Sequence, residues 1–184
     1  LPTKVKMPAV NYRKNLEIKT PVTGIPKYRR LALDYVKSDK YAKHFIEKQT
    51  DIYYNIKTGR LKLRIIDGKN GRLIFYRRAN TQGKRVSNYF LSETSTPKEL
   101  DSILTALYGK KVIVEKKREI FTSRNVRIHL DNVKGLGKYL EFEVIFNSIN
   151  TARKTLDKLI GHFKLDESAF IRGSYSDLKI KKEQ

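Results

Sequence analysis

Residues 59–64 read Gly59-Arg60-Leu61-Lys62-Leu63-Arg64. Basic and apolar residues alternate there with the period of a β-strand, so Leu61 and Leu63 share one face and Arg60, Lys62 and Arg64 share the other. An ordinary antiparallel sheet turns a mixed polar face to solvent. Three cations on one face, with no acid among them, call for an anionic neighbour instead.

The same design spreads outward along the chain. In 15–19, Leu16 and Ile18 oppose Asn15, Glu17 and Lys19; in 127–131, Ile128 and Leu130 oppose Arg127, His129 and Asp131. In 140–146, Leu140, Phe142, Val144 and Phe146 oppose Glu141 and Glu143. Lys116 and Arg118 share a face with Val114, Arg78 with Tyr76, and Arg85 with Ser87 and Tyr89. This period predicts strands at 15–20, 51–56, 60–67, 72–78, 85–92, 110–120, 124–131 and 138–146, punctuated by Gly59, Asp67-Gly68, Asn70-Gly71, Gln82-Gly83 and Gly135/Gly137. Helical spacing predicts a helix or two between Pro26 and Lys48, with a break near Ser38-Asp39. A further helix is expected from Thr96 to about Tyr108, with Thr96 as N-cap, Pro97 at the first position and Glu99 completing a capping box. Another is expected over 149–164, with Leu156, Leu159, Ile160 and Phe163 on one face. Residues 1–14 are expected to be a loose basic segment, 15–178 a single domain, and 179–184 a charged tail.

Eight mostly sequential strands are enough to close a sheet on itself. The expected fold class is therefore α+β: a closed eight-stranded antiparallel β-barrel, with the charged face lining the lumen and helices packed outside. An open sheet with a solvated charged face is the competing arrangement, and it does not explain why bases and carboxylates gather separately.

Forty Lys and Arg against 19 Asp and Glu leave a formal charge of +21 on 184 residues, a length that suits one domain. Such a balance points to a polyanion: nucleic acid, an anionic membrane surface or a small polyphosphate. Cysteine is absent, which excludes disulfide scaffolds, thiolate zinc sites and thiol nucleophiles. No apolar run approaches the roughly 20 residues of a membrane-spanning helix. A lumen lined by this many cations repels itself unless a polyanion enters. Carboxylates on the same face are poor ligands for that anion. They suit a divalent cation bridging to it, because Mg²⁺ and Mn²⁺ are commonly held by carboxylates together with substrate phosphates.

With these features in hand, the chain resembles the CYTH superfamily, the triphosphate tunnel metalloenzymes, and is most similar to its class IV adenylyl cyclase-like and thiamine triphosphatase-like members. The resemblance runs from about residue 15 to 178. It rests on Asn15-Leu-Glu-Ile-Lys19, Gln49-Thr-Asp-Ile-Tyr-Tyr54, Gly59-Arg-Leu-Lys-Leu-Arg64, Leu73-Ile-Phe-Tyr-Arg-Arg78, Val114-Glu-Lys-Lys-Arg118, Arg127-Ile-His-Leu-Asp131, Leu136-Gly-Lys-Tyr-Leu-Glu-Phe-Glu-Val144 and Ser174-Tyr-Ser-Asp-Leu178. It implies an eight-stranded tunnel that takes triphosphate-containing substrates with Mg²⁺ or Mn²⁺. Glu17, Asp131, Glu141 and Glu143 fall where the family's metal carboxylates lie. Lys19, Arg60, Lys62, Arg64, Arg78, Arg85, Lys116, Arg118 and Arg127 fall where tunnel cations meet phosphate oxygens. Glu17 and Lys19 also stand in the catalytic positions. One departure is evident: the family's Glu-x-Glu-x-Lys begins here with Asn15, a neutral oxygen in place of a carboxylate.

The resemblance implies an enzyme of triphosphates. A metal-dependent triphosphatase of inorganic or organic triphosphate is the expected one, because any bound water can act as nucleophile while cyclisation needs one nucleoside pose; the motif match to the cyclase-like branch pulls the other way. The alternatives are a class IV-type adenylyl cyclase that makes cyclic AMP and pyrophosphate, and a nucleotide- or polyphosphate-binding protein weakened in catalysis by Asn15. Nucleic acid is not the expected partner, since no base-reading module is evident, and a homodimer is left open. The chain reads as soluble and cytoplasmic by default, with a processed or secreted form open because residue 1 is Leu. His129 reads as orienting a neighbour rather than as a catalytic base, His44 and His162 as helix residues, and Tyr53, Tyr54, Tyr76 and Tyr89 as barrel packing.

Overall fold

The alternating segments pair into one sheet that closes. The computed structural model describes residues 12–78 and 83–184; the expectations for residues 1–11 and for the turn at Gln82 lie outside these. In chain order the elements are β1 (Arg13–Pro21), α1 (Ile25–Val36), β2 (Lys43–Tyr54), β3 (Arg60–Ile66), β4 (Asn70–Arg78), β5 (Arg85–Thr94), α2 (Pro97–Tyr108), β6 (Lys110–Ser123), β7 (Val126–Val133), β8 (Gly137–Ile145), α3 (Ile149–Phe163), a 3₁₀ turn (Glu167–Ala169) and α4 (Tyr175–Glu183). The strands run β1-β5-β4-β3-β2-β6-β7-β8 around a closed antiparallel barrel. β1 closes it, pairing Glu17 with Arg85 on β5 and with Glu143 on β8. The α+β barrel read from the alternation is therefore the fold observed.

The apolar faces point outward, so the main core lies outside the barrel wall. Leu16, Ile18, Ile128, Leu140 and Phe142 meet Ala152, Leu156, Leu159 and Phe163 of α3, with α1 beside them. A smaller cluster of Ile52, Tyr54 and Leu63 lies beneath Leu104 of α2. Burying a side chain of this size is worth roughly 1.5–3 kcal/mol, so the helices hold the wall while the lumen stays polar. The lumen-side cluster is rich in tyrosine: Tyr53, Tyr76, Tyr89, Tyr139 and Tyr175.

Three local expectations are corrected. Helix does not extend to Lys48: α1 ends at Val36 and β2 starts at Lys43. The apolar spacing of Tyr41 and Phe45 imitates a helix, but residues 43–53 pair in unbroken register with β6, and that long ladder overrides local spacing. His44 is consequently a strand residue. It stacks on Phe121 and its Nε2 lies 2.9 Å from Glu119, which Arg29 of α1 also grips. The capping box at Thr96 does not form; the Thr96 side chain caps nothing, and its backbone N–H donates to Thr94 Oγ1 at 3.1 Å. A capping box forms instead at Ser174 and Asp177, starting α4. β1 begins at Arg13, inside the segment expected to be loose, and the charged end continues α4 to Glu183. No helix among the described residues is long and apolar enough to cross a membrane.

Candidate active site

Inward positions on all eight strands converge on a cavity of about 650 Å³. That volume accommodates a small organic ligand. Eleven Lys and Arg and six Asp and Glu side chains line it among the described residues. The sequence-predicted residues Glu17, Lys19, Lys62, Arg64, Arg78, Lys116, Arg118, Arg127, Glu141 and Glu143 all do so. Period-two alternation places them there, and barrel closure brings strands distant in sequence face to face.

One carboxylate organises one wall. Asp51 on β2 accepts from Lys62 Nζ at 3.0 Å, Arg64 Nε at 2.7 Å and Lys116 Nζ at 2.8 Å. Burial pushes Asp51 up, but Arg64, Lys116 and Lys62 together outweigh it and hold the carboxyl well below its usual range. Lys116 is pushed well below the ordinary lysine value, first by burial and then by Arg64, Arg118 and Lys62, with Asp51 opposing. Three cations share this one anion, so the wall is electron-poor.

Glu17 holds the opposite wall. Arg78 bonds to it and Arg85 Nη2 lies 3.5 Å away. Arg85 Nη1 donates to the carbonyls of Ile171 and Gly173 at 2.9 and 3.1 Å. Gly173 sits at φ +77°, where a Cβ would come within 2.7 Å of Asp177. Nε and Nη2 of both arginines are buried with no hydrogen-bond partner. Native proteins rarely leave buried guanidinium donors unpaired.

The third group crosses β6, β7 and β8. Arg118 donates to both oxygens of Asp131 at 2.7 and 2.6 Å and reaches Glu141 at 3.2 Å. The Tyr175 hydroxyl donates to Asp131 at 2.6 Å. Asp131 is fully buried and does not line the cavity, so its oxygens are committed to protein donors. Burial raises the Asp131 pKa, yet Arg118 brings it below normal. Burial likewise opposes Glu141, but Lys19 and Arg118 hold it well below the carboxylate range. Lys19 Nζ lies 2.8 Å from Glu141 and 3.6 Å from the Tyr175 ring centre. His129, Glu141 and Glu143 bring three ligand atoms within 4.8 Å of one another, a set able to hold a metal ion.

Arg60 is not brought into the main cavity: it donates to Asp177 at 2.9 Å, at the barrel end crossed by the start of α4. Arg85 lies behind the lining, wholly buried against Glu17. Sequence reading missed Glu47, Gln49, Asp51 and Tyr175 as lumen residues. The signal for the first three was their spacing of two within β2; the helical reading to Lys48 hid it for Glu47, while Gln49 and Asp51 lay at or in the predicted strand without being assigned to the lumen. For Tyr175 there was none, because it enters from α4.

The opposite, open mouth is different. Arg13, Lys43, Arg72, Arg124 and Arg127 share it with Tyr41 and Phe45, which are 72% and 40% exposed.

Over residues 13–175 the chain matches the CYTH domain. It belongs to the CYTH family. A relative named "Putative adenylate cyclase" from Methanocaldococcus jannaschii is 32% identical over 69 residues, spanning 36% of this chain and 39% of that protein's length. Among solved structures, a protein of Pyrococcus horikoshii superposes with TM-score 0.78 at 21% identity, covering 89% of this CYTH chain and 98% of its own. The Mimivirus capping enzyme triphosphatase superposes with TM-score 0.54 at 13% identity, covering 83% and 90%. These superpositions show the shared barrel.

Proposed function

We propose that this CYTH protein binds a triphosphate chain in the barrel lumen together with a divalent cation and hydrolyses it. The observation that carries the reading is the pair of guanidinium donors on Arg78, Nε and Nη2, which are buried in the lining with no hydrogen-bond partner and face a wall where Lys62, Arg64 and Lys116 share the single Asp51. Phosphate oxygens would satisfy those donors and neutralise the surplus charge. The anion draws Arg78 onto itself, while Arg85 stays anchored behind the lining, and the Glu17 carboxylate is freed to face a cation.

The carboxylates of Glu17, Glu141 and Glu143 are the residues fitted to hold that cation, and the buried, partnerless Oδ1 of Asn15 is a neutral oxygen on the same strand face. A bound divalent ion supplies charge neutralisation and a more acidic water. Lys19, held by Glu141, and Arg118, held by Asp131, are pre-aimed at the charge that develops on the phosphoryl oxygens. Asp131 acts here as the positioning residue for Arg118. Water attacks the terminal phosphorus, the bridging P–O bond breaks with its electron pair leaving on the diphosphate, and the proton of the attacking water passes to the released phosphate or to solvent.

A cyclase reading draws support from the open mouth, where Tyr41 and Phe45 offer an apolar face to a nucleoside. In that case the ribose 3′-oxygen attacks the α-phosphorus and pyrophosphate departs. Purified protein incubated with inorganic triphosphate or ATP, each with Mg²⁺ or Mn²⁺, separates the readings. Phosphate release abolished by Arg78→Gln is the expected result. Cyclic AMP from ATP establishes the cyclase, and tight triphosphate binding without product establishes a binder.

A further inference from the structure

His129 is unexplained by any phosphate contact. It sits on β7 opposite Glu141 of β8 in the ladder, and it is 4% exposed. Its Nδ1 has no hydrogen-bond partner, although it faces Glu141 Oε1 at 3.6 Å and Glu143 Oε1 at 3.9 Å. These separations are too long for hydrogen bonds. They are short enough for one ion to bridge, since two ligand bonds of about 2.1 Å span at most about 4.2 Å. Asp131 cannot complete an all-oxygen set, because Arg118 and Tyr175 occupy both of its oxygens.

We infer that His129 Nδ1 is a metal ligand alongside Glu141 and Glu143, and that this mixed nitrogen–oxygen set selects a first-row transition ion, Mn²⁺ or a later one, over Mg²⁺. Mg²⁺ prefers oxygen ligands and gives up water reluctantly, whereas imidazole suits transition ions and affinity for such sites rises from Mn²⁺ onward. The inference rests on the proposed metal-dependent reading but concerns the identity of the ion, so it is tested without turnover.

The chain has three histidines, and His44 and His162 bond residues outside the lumen, to Glu119 and to the Leu31 carbonyl. Addition of substoichiometric Mn²⁺ to the isotopically labelled protein is expected to broaden the His129 imidazole resonances while sparing the other two. Calorimetry without substrate is expected to show Mn²⁺ binding tighter than Mg²⁺, with His129→Gln lowering the Mn²⁺ affinity about tenfold or more and leaving Mg²⁺ nearly unchanged. A His129 signal unaffected by bound Mn²⁺ overturns the inference, and so does a folded His129→Gln protein that keeps the wild-type Mn²⁺ to Mg²⁺ ratio. The broadening experiment needs no variant, so a destabilised His129→Gln does not remove the test. Triphosphate binding measured with saturating Mg²⁺ reports on the functional reading separately: its absence would sink that reading and leave the ion selectivity standing.

Discussion

At the scale of single residues, the lumen is a set of charges held away from their preferred states. Lys116 shows this most clearly. Its folded pKa lies below the unfolded value near 10.4, because burial comes first and Arg64, Arg118 and Lys62 add to it against the opposing Asp51. Between those two values the unfolded chain binds more protons than the folded one, so the Lys116 contribution to stability rises with pH across that window. A bound triphosphate reverses the balance, since the anion favours the ammonium. Binding should therefore take up protons between the lowered folded pKa and the ordinary lysine value, and affinity should fall as pH rises through that window. Calorimetry in buffers of different ionisation enthalpy checks this: the heat should vary with the buffer in wild type and less so in Lys116→Met. Heats independent of buffer throughout that range would contradict it.

At the scale of elements, the helices stabilise and the strands do the chemistry. Leu156 of α3 is fully buried against the outer faces of the barrel strands. Leu156→Ala should cost about 2–5 kcal/mol, the range for a buried leucine whose cavity relaxes only in part. Triphosphate affinity of the folded variant should be unchanged, because Leu156 faces away from the lumen. Urea unfolding paired with a binding titration checks both halves, and a weakened affinity would mean that α3 tunes the site. The same scale explains the misread stretch. Residues 43–48 lack a strong local preference, and β2 extends there only because β6 offers a partner ladder through Thr122 opposite Lys43. At α2, Thr94 Oγ1 accepts the Thr96 backbone N–H that the Glu99 carboxylate was expected to bond.

At the scale of the whole molecule, the chain carries a net charge of +21, and among the described residues eleven of its cations face six carboxylates in the cavity. Self-repulsion on this scale makes the empty protein less stable than its core alone would allow. A ligand that binds only the folded state adds about 2.7 kcal/mol at a hundred times its dissociation constant. Inorganic triphosphate should accordingly raise the unfolding midpoint, with Arg78→Gln reducing the gain. A midpoint that chloride at equal ionic strength raises as much as triphosphate does would reduce the lumen to a generic basic surface.

The sequence by itself determined the barrel and the polarity of its faces. Alternation such as that of residues 60–64 states which side chains share a face, and its repetition on strand after strand leaves a charged lumen and an apolar exterior. Period cannot state which residue stands opposite which. Arg60 meets Asp177 across 117 positions, and Tyr175 reaches Asp131 across 44. Those pairings follow from ladder register, barrel closure and the docking of α4, none of which leaves a local trace. Only the tertiary structure therefore decided that Asp131 is committed to Arg118, that Asp51 is shared by three cations, and that His129 faces two carboxylates with its Nδ1 unpaired.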